Sequence, residues 1–292
     1  MREWVGRFES KPGSMCPGFR RLRYIAACPH TCPYCYLQGV YWRGRPRDIV
    51  EADLSEMERA VARWMERTIE PAMLNAGELS DSFAPEISAQ ASLRLIELFR
   101  CQSRHTLLLL SKAMPAVLLD VEPTPKVIMS FSLGQPRLRT EDGEWVELSP
   151  QFRPDYLRSV VERSWRVRLR VDPLIDHLGV ARIAAAVSAT RTRFERITLG
   201  TLRFTSAGYR AVANGSPTQR ALAARVRREE GEAGTHPYRL PLVQRVGLYA
   251  AMIASLRETD TTDLVALCKE TPEAWQRTFG VVPEVIPCNC TL

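Results

Sequence analysis

The chain has 292 residues, a mass of 33.0 kDa and 45% hydrophobic residues, enough for one α/β barrel with an appendage or for two smaller domains. No apolar run approaches the roughly 20 residues needed to cross a bilayer, so no membrane partner is expected. The formal charge of +7 favours polyanionic partners only mildly, and eight cysteines behind an Arg-rich start with no secretory leader point to the cytoplasm rather than to a disulfide scaffold.

Residues 1–20 carry Pro12, Gly13, Pro17 and Gly18 without periodicity and read as an irregular lead-in that bears Cys16. Leu22 to Ala27 is a short apolar run, which predicts a buried strand opening into Cys28-Pro29-His30-Thr31-Cys32-Pro33-Tyr34-Cys35. The basic and aromatic stretch from Gly39 to Arg47 suits either a groove for bases and phosphates or a surface loop with two packed aromatics, Tyr41 and Trp42. Asp53 to Glu70 places Leu54, Met57, Val61, Trp64 and Met65 on one helical face, with Pro71 behind it.

Further strands are expected at 72–74, 105–110, 126–131, 167–171 and 196–204, with helices at 88–100, 155–165 and 181–188 and an acidic hairpin-like insert at 141–145. The repeated unit is strand then helix. Six such units predict a parallel α/β structure over 21–204, either doubly wound or a partial barrel, with ligands at the C-terminal ends of the strands. Polar residues gather at those exits: Cys28, Glu78, Ser80, Asp81, Lys112, Ser130, Asp172 and Arg203. Together they offer acceptors for an ammonium group and donors for a carboxylate, although a lone lysine at a strand end is ordinarily just solvated. Beyond Phe204 the chain turns polar and basic, with a helix from Leu242 to Leu256, so 205–292 reads as a helical cap. Cys101 and Cys268 lie in apolar patterns and read as buried core thiols.

Cys28, Cys32 and Cys35 form a CxxxCxxC loop, in which each thiol can hold one iron of a cubane cluster and leave the fourth iron to an outside ligand. Two other readings use the same residues. Cys28, His30, Cys32 and Cys35 supply four potential zinc ligands, though zinc loops more often come as two separated pairs, and a disulfide framework would need an oxidising compartment. The spacing resembles the signature of the radical S-adenosylmethionine (SAM) enzymes. That resemblance implies a [4Fe-4S] cluster on Cys28, Cys32 and Cys35, chelation of SAM at the open iron, and an external one-electron reductant whose electron releases a 5'-deoxyadenosyl radical.

Within that class, Cys32-Pro33-Tyr34-Cys35-Tyr36-Leu37-Gln38, Ser80-Asp81, Ser111-Lys112, Met129-Ser130-Phe131-Ser132 and Gly200-Thr201-Leu202-Arg203-Phe204 resemble the spore photoproduct lyase family. The resemblance spans about Arg20 to Trp275. It implies a partial (β/α)6 TIM-like barrel with a C-terminal helical cap, SAM contacts around Ser80, Asp81, Lys112 and Ser130, and a DNA or nucleotide-like substrate. Tyr34 and Tyr36 match the tyrosines on the route that returns hydrogen after repair. In the true lyases a cysteine just before the Ser80-Asp81 match gives hydrogen to the product radical, and here Glu78 stands there. Gly77-Glu78 instead resembles the Gly-Glu element that holds the SAM ammonium in many radical SAM enzymes, and Glu78 also suits a helix-capping carboxylate. Cys288 and Cys290, a CxC at the end of a flexible tail, are the thiols expected to supply a hydrogen donor or, with Cys16, part of a second metal site; an inert tail is the plain alternative. Radical modification of a small metabolite or peptide, and a DNA-binding protein with a structural cluster, remain as other functions.

Overall fold

The computed structural model describes residues 4–25, 28–37, 53–140, 143–229, 234 and 236–292. The basic stretch from Gly39 to Arg47 lies outside them. The main sheet has eight strands in the spatial order β1 (Val5–Phe8), β2 (Phe19–Leu22), β3 (Met73–Ala76), β4 (Thr106–Ser111), β5 (Val127–Leu133), β8 (Arg166–Leu174), β9 (Arg196–Thr201) and β13 (Val265–Leu267). From β2 to β13 every pairing is parallel, and β1 pairs antiparallel with β2. Each parallel strand lies beside the preceding one, so the order never reverses. A doubly wound sheet must reverse at a switch point, whereas a partial barrel does not.

The helices follow the strands. Helix α1 (Leu54–Arg67) starts where the Asp53 carboxylate accepts the Glu56 amide at 2.9 Å, and it buries Leu54, Met57 and Val61 at helical spacing. Helices α2 (Glu86–Arg100), α3 (Pro154–Glu162) and α4 (His177–Ser188) present Leu95 and Phe99, Leu157 and Val160, and Val180, Ile183 and Val187 to the core. They meet one face of the sheet through Leu107, Leu109, Met129, Phe131, Leu169, Val171, Ile197 and Leu199. An antiparallel hairpin of β6 (Arg137–Arg139) and β7 (Trp145–Glu147) stands where the acidic insert is expected.

Three readings change. Residues 1–20 are not an irregular lead-in, because β1 and the start of β2 form the sheet's antiparallel edge. The first parallel strand ends at Leu22, and Arg23 to Ile25 follow it outside the strand; Ala26 and Ala27, the end of the expected strand, lie outside the described residues. The 205–292 region is helical, through α5 (Ser206–Ala213), α6 (Pro217–Arg225), α7 (Leu242–Glu258) and α8 (Pro272–Phe279), but it also adds β13 to the sheet as a seventh parallel strand. Three residues are too short for a periodic signal, and pairing with β9 creates the strand. A small sheet of β10 (Arg203–Phe204), β12 (Tyr238–Arg239) and β11 (Arg227–Arg228) lies outside the main one.

The other face of the main sheet carries a small apolar cluster of Met73, Leu108 and Ile128 and turns polar further along β5, β8 and β9. Ser130, Arg168 and Arg196 are register partners across β5, β8 and β9, as are Ser132, Arg170 and Thr198. A barrel interior is commonly filled by branched apolar side chains; here residues 288–291 fill it. Asn289, fully buried, donates from its side chain to the Leu169 carbonyl at 2.7 Å and to Ser130 Oγ at 3.3 Å, and accepts from Thr198 Oγ1 at 2.7 Å. Arg168 donates to the Asn289 and Thr291 carbonyls at 2.9 and 2.5 Å. Arg196 holds the Cys288 carbonyl and Thr291. The reading of this segment as a flexible tail is therefore corrected, since its backbone groups find partners inside the barrel.

Candidate functional site at the strand exits

The C-terminal ends of the parallel strands open into one cavity that encloses about 1270 Å³ of non-protein space, mouth included. The loop after β2 brings Cys28, Cys32, Tyr34, Cys35 and Tyr36 to it, the loop after β3 brings Gly77, Glu78, Ser80 and Asp81, and β4 brings Lys112. Ser132, Asp172, Arg203 and Cys268 come from or follow β5, β8, β9 and β13.

The loop after β3 is shaped by two residues. Gly77 has φ +87, and a Cβ there would sit 2.3 Å from the Leu110 carbonyl oxygen, so both backbone conformation and space require glycine. Asp81 is the bracket that ties three segments together. Its buried carboxylate accepts from Ser111 Oγ at 2.7 Å and from the amides of Lys112, Phe83 and Ala84 at 2.6, 2.9 and 3.0 Å, with His30 of the cysteine loop at 3.4 Å. Burial by itself would raise its pKa; His30, Ser111 and the two amides of Lys112 and Phe83 outweigh that and hold the carboxyl down at about 2. These protein donors occupy both carboxylate oxygens. The Glu78 carboxylate is paired with Arg21 at 2.9 Å, and the Tyr36 hydroxyl donates to the Glu78 carbonyl.

Lys112 extends into the cavity with its ammonium 2.9 Å from Ser132 Oγ and 5.8 Å from the centre of the Tyr34 ring. The Tyr34 hydroxyl contacts that of Ser149. Burial, with Cys32 nearby, pushes the Tyr34 phenol well above its usual range, so it stands as a neutral O–H. Ser130 is not part of this group. It lies one pleat deeper than Ser132, fully buried against Asn289, and Ser132 is the β5 hydroxyl that faces the cavity. Cys101 is exposed at the end of α2, not the core thiol expected there, whereas Cys268 is buried as expected and also lines the cavity. Arg170, also on the cavity wall, was legible only indirectly: Arg166, Arg168, Arg170 and Asp172 alternate along a strand otherwise read as buried, which marks a polar inner face.

Three thiols on one short loop face this cavity, which is the donor set for a cubane cluster with an open iron. Burial, partly offset by the His30 amide and reinforced by Asp81, Cys35 and Cys32, pushes the Cys28 thiol up to about 12. A thiol so placed ionises only against a strong cation, and bound metal supplies one. Among the described residues no three His, Cys, Asp or Glu side chains are drawn in to metal-holding spacing; the fit rests on donor type and placement.

No family model and no curated protein matches the sequence. Solved structures do. A cysteine-to-alanine mutant of spore photoproduct lyase superposes with a TM-score of 0.66 at 18% identity, covering 85% of this chain and 76% of that one. The chain has the fold of the spore photoproduct lyases. Spore photoproduct lyase complexed with dinucleoside spore photoproduct matches at TM-score 0.65 and 17% identity over 91% of this chain and 81% of that one. Streptococcus suis SuiB bound to S-adenosylmethionine matches at TM-score 0.51 and 8% identity, and this chain covers 51% of its length. The partial-barrel reading of the lyase resemblance is thus the observed fold.

Proposed function

We propose that this chain is a radical SAM enzyme of the spore photoproduct lyase type, with a [4Fe-4S] cluster on Cys28, Cys32 and Cys35 and SAM in the cavity beside it. One observation carries the reading: the three cysteines, the Gly77–Asp81 loop and Lys112 converge from separate strand exits on one cavity, in a fold shared with the lyases. When bound, the cluster would supply the electron that cleaves SAM to a 5'-deoxyadenosyl radical. The protein's share is placement. Gly77 and Ser80 line the wall after β3, Lys112 offers a cation to a carboxylate, and the Glu78 carboxylate, held by Arg21 through one oxygen, lines the same wall as the acceptor for an ammonium group. Asp81 serves by fixing the loop, since its own oxygens are taken. Tyr34 and Tyr36 line the same wall, and the substrate proposed is a DNA lesion or nucleotide-like anion, drawn to Lys112, Lys269 and Arg170.

The test is anaerobic reconstitution with iron and sulfide, reduction by dithionite as one-electron donor, and assay of 5'-deoxyadenosine with and without UV-irradiated DNA. The wild type is expected to form deoxyadenosine and to form more with irradiated DNA, and Cys32→Ala to lose at least about 100-fold. Formation indifferent to DNA would move the substrate to a small metabolite or peptide. Salt-sensitive DNA binding with no SAM cleavage would leave a DNA-binding protein with a structural cluster.

A further inference from the structure

Four of the eight cysteines are left over once the cluster loop and exposed Cys101 are set aside. Cys16, Cys268, Cys288 and Cys290 all line the cavity, and they come from three distant parts of the chain. Two of them are held with particular care. Asn289, between Cys288 and Cys290, is fixed by Ser130, Thr198 and Leu169, and Arg168 and Arg196 grip the backbone on either side. The buried Arg170 guanidinium donates to Cys290 Sγ at 3.0 Å. The two thiols act on each other: the neighbouring Cys290 thiol, with burial, pushes Cys288 up, while the Cys288 thiol and then Arg170 lower Cys290 against burial. Lys269, Cys268 and Arg196 add to the charged and titratable surroundings of the pair, as does Cys16.

We propose that Cys288 and Cys290 form a redox dithiol, seated by Arg170, that gives a hydrogen atom to a carbon radical formed in the cavity. The proposal rests on the reading of the cavity as a radical site and names the group that ends the reaction. It answers a chemical need: Glu78 stands where a thiol donor is expected, and a carboxylate does not give up a hydrogen atom readily. The Cys288 S–H bond breaks as a C–H bond forms, leaving the unpaired electron on sulfur. The ionised Cys290 sulfur bonds to it as one electron passes to an external acceptor of the iron–sulfur carrier class, and a disulfide remains. A dithiol reductant then returns two electrons and one proton, restoring thiol and thiolate.

The test has two arms, and the first needs no turnover. The reduced full-length protein is equilibrated with glutathione redox buffer, quenched in acid, alkylated and mapped by peptide mass spectrometry. A reversible Cys288–Cys290 disulfide is expected, together with alkylation of Cys290 by iodoacetamide at pH 7 about tenfold faster than in Arg170→Met. Absence of that disulfide overturns the pair, as does zinc or iron retained at Cys16, Cys268, Cys288 and Cys290 when Cys28, Cys32 and Cys35 are all alanine. If Arg170→Met does not fold, the wild-type disulfide map decides alone. In the second arm the cluster-loaded protein cleaves SAM in D2O without added thiol or substrate. The deoxyadenosine is expected to carry one deuterium, with the deuterated fraction falling at least about fivefold in Cys288→Ala; an unchanged fraction overturns the donor role. A wild type that forms no deoxyadenosine would defeat the radical reading, and the thiol map would still judge the pair.

Discussion

Asp81 shows how one side chain organises the mouth of the cavity. With its pKa held at about 2 against 3.8 for a free carboxyl, it binds fewer protons in the folded state than in the unfolded one over that window. Its contribution, about 2 kcal/mol, is therefore whole above pH 4 and lost as pH falls through 3.8 toward 2. Asp81→Asn is expected to cost about 2 kcal/mol at pH 7, read from urea midpoints, and to flatten the acid limb of the stability curve between pH 4 and 2. The sequence shows Asp81 at a strand exit next to Ser80, but it does not show that Ser111, Lys112, Phe83 and Ala84 consume its acceptors. Two of those donors, Ser111 and Lys112, come from the end of another strand, about 30 residues on. The same holds for Glu78, whose partner Arg21 is 57 residues away, and for Ser130 and Ser132, which share a face and differ only in depth along β5.

At the scale of elements, strand and helix positions followed from local pattern wherever the pattern was long. Helix α1, with apolar residues at helical spacing, was legible at its start and ends at Arg67, three residues short of the expected Glu70. Strand β13 and the 288–291 segment were not, because neither has a periodic signal and both are fixed by partners distant in sequence. Asn289 carries the segment's attachment. Asn289→Ala leaves buried donors and acceptors on Thr198, Ser130 and Leu169 unsatisfied, which is expected to cost about 3 kcal/mol. Hydrogen exchange at 287–292, followed by mass spectrometry, should then rise about 100-fold if the loss is local.

Across the whole molecule, a buried ion network fastens the helical region to the sheet. Glu270, directly after the β13 exit, meets Arg245 at 3.2 Å and Arg239 at 3.5 Å and accepts the Tyr249 hydroxyl at 2.7 Å; Glu229 bonds both arginines as well. Met15 donates its amide to the Glu270 carbonyl at 2.7 Å, which brings the N-terminal edge into the same junction. Removing the Glu270 charge leaves two buried guanidinium groups to share Glu229 alone, so Glu270→Gln is expected to cost about 3 kcal/mol. Because the network joins both regions, far-UV circular dichroism and tryptophan fluorescence should lose signal in one coincident transition at a lower urea concentration. Two separated transitions would show that the regions fold independently.

What the sequence determined by itself was whatever depends on neighbours along the chain: the CxxxCxxC spacing, the strand–helix alternation, and the strand ends where polar residues collect. Those signals are local because a helix face and a short chelating loop each form within a few residues. The tertiary structure decided which polar groups are spent on each other and which face the cavity, and it placed Cys288 and Cys290 inside the barrel beside Arg170. That choice was invisible in the sequence because it is made by hydrogen bonds spanning about 90 to 160 residues, from Thr198, Arg168 and Ser130 to the same four-residue stretch.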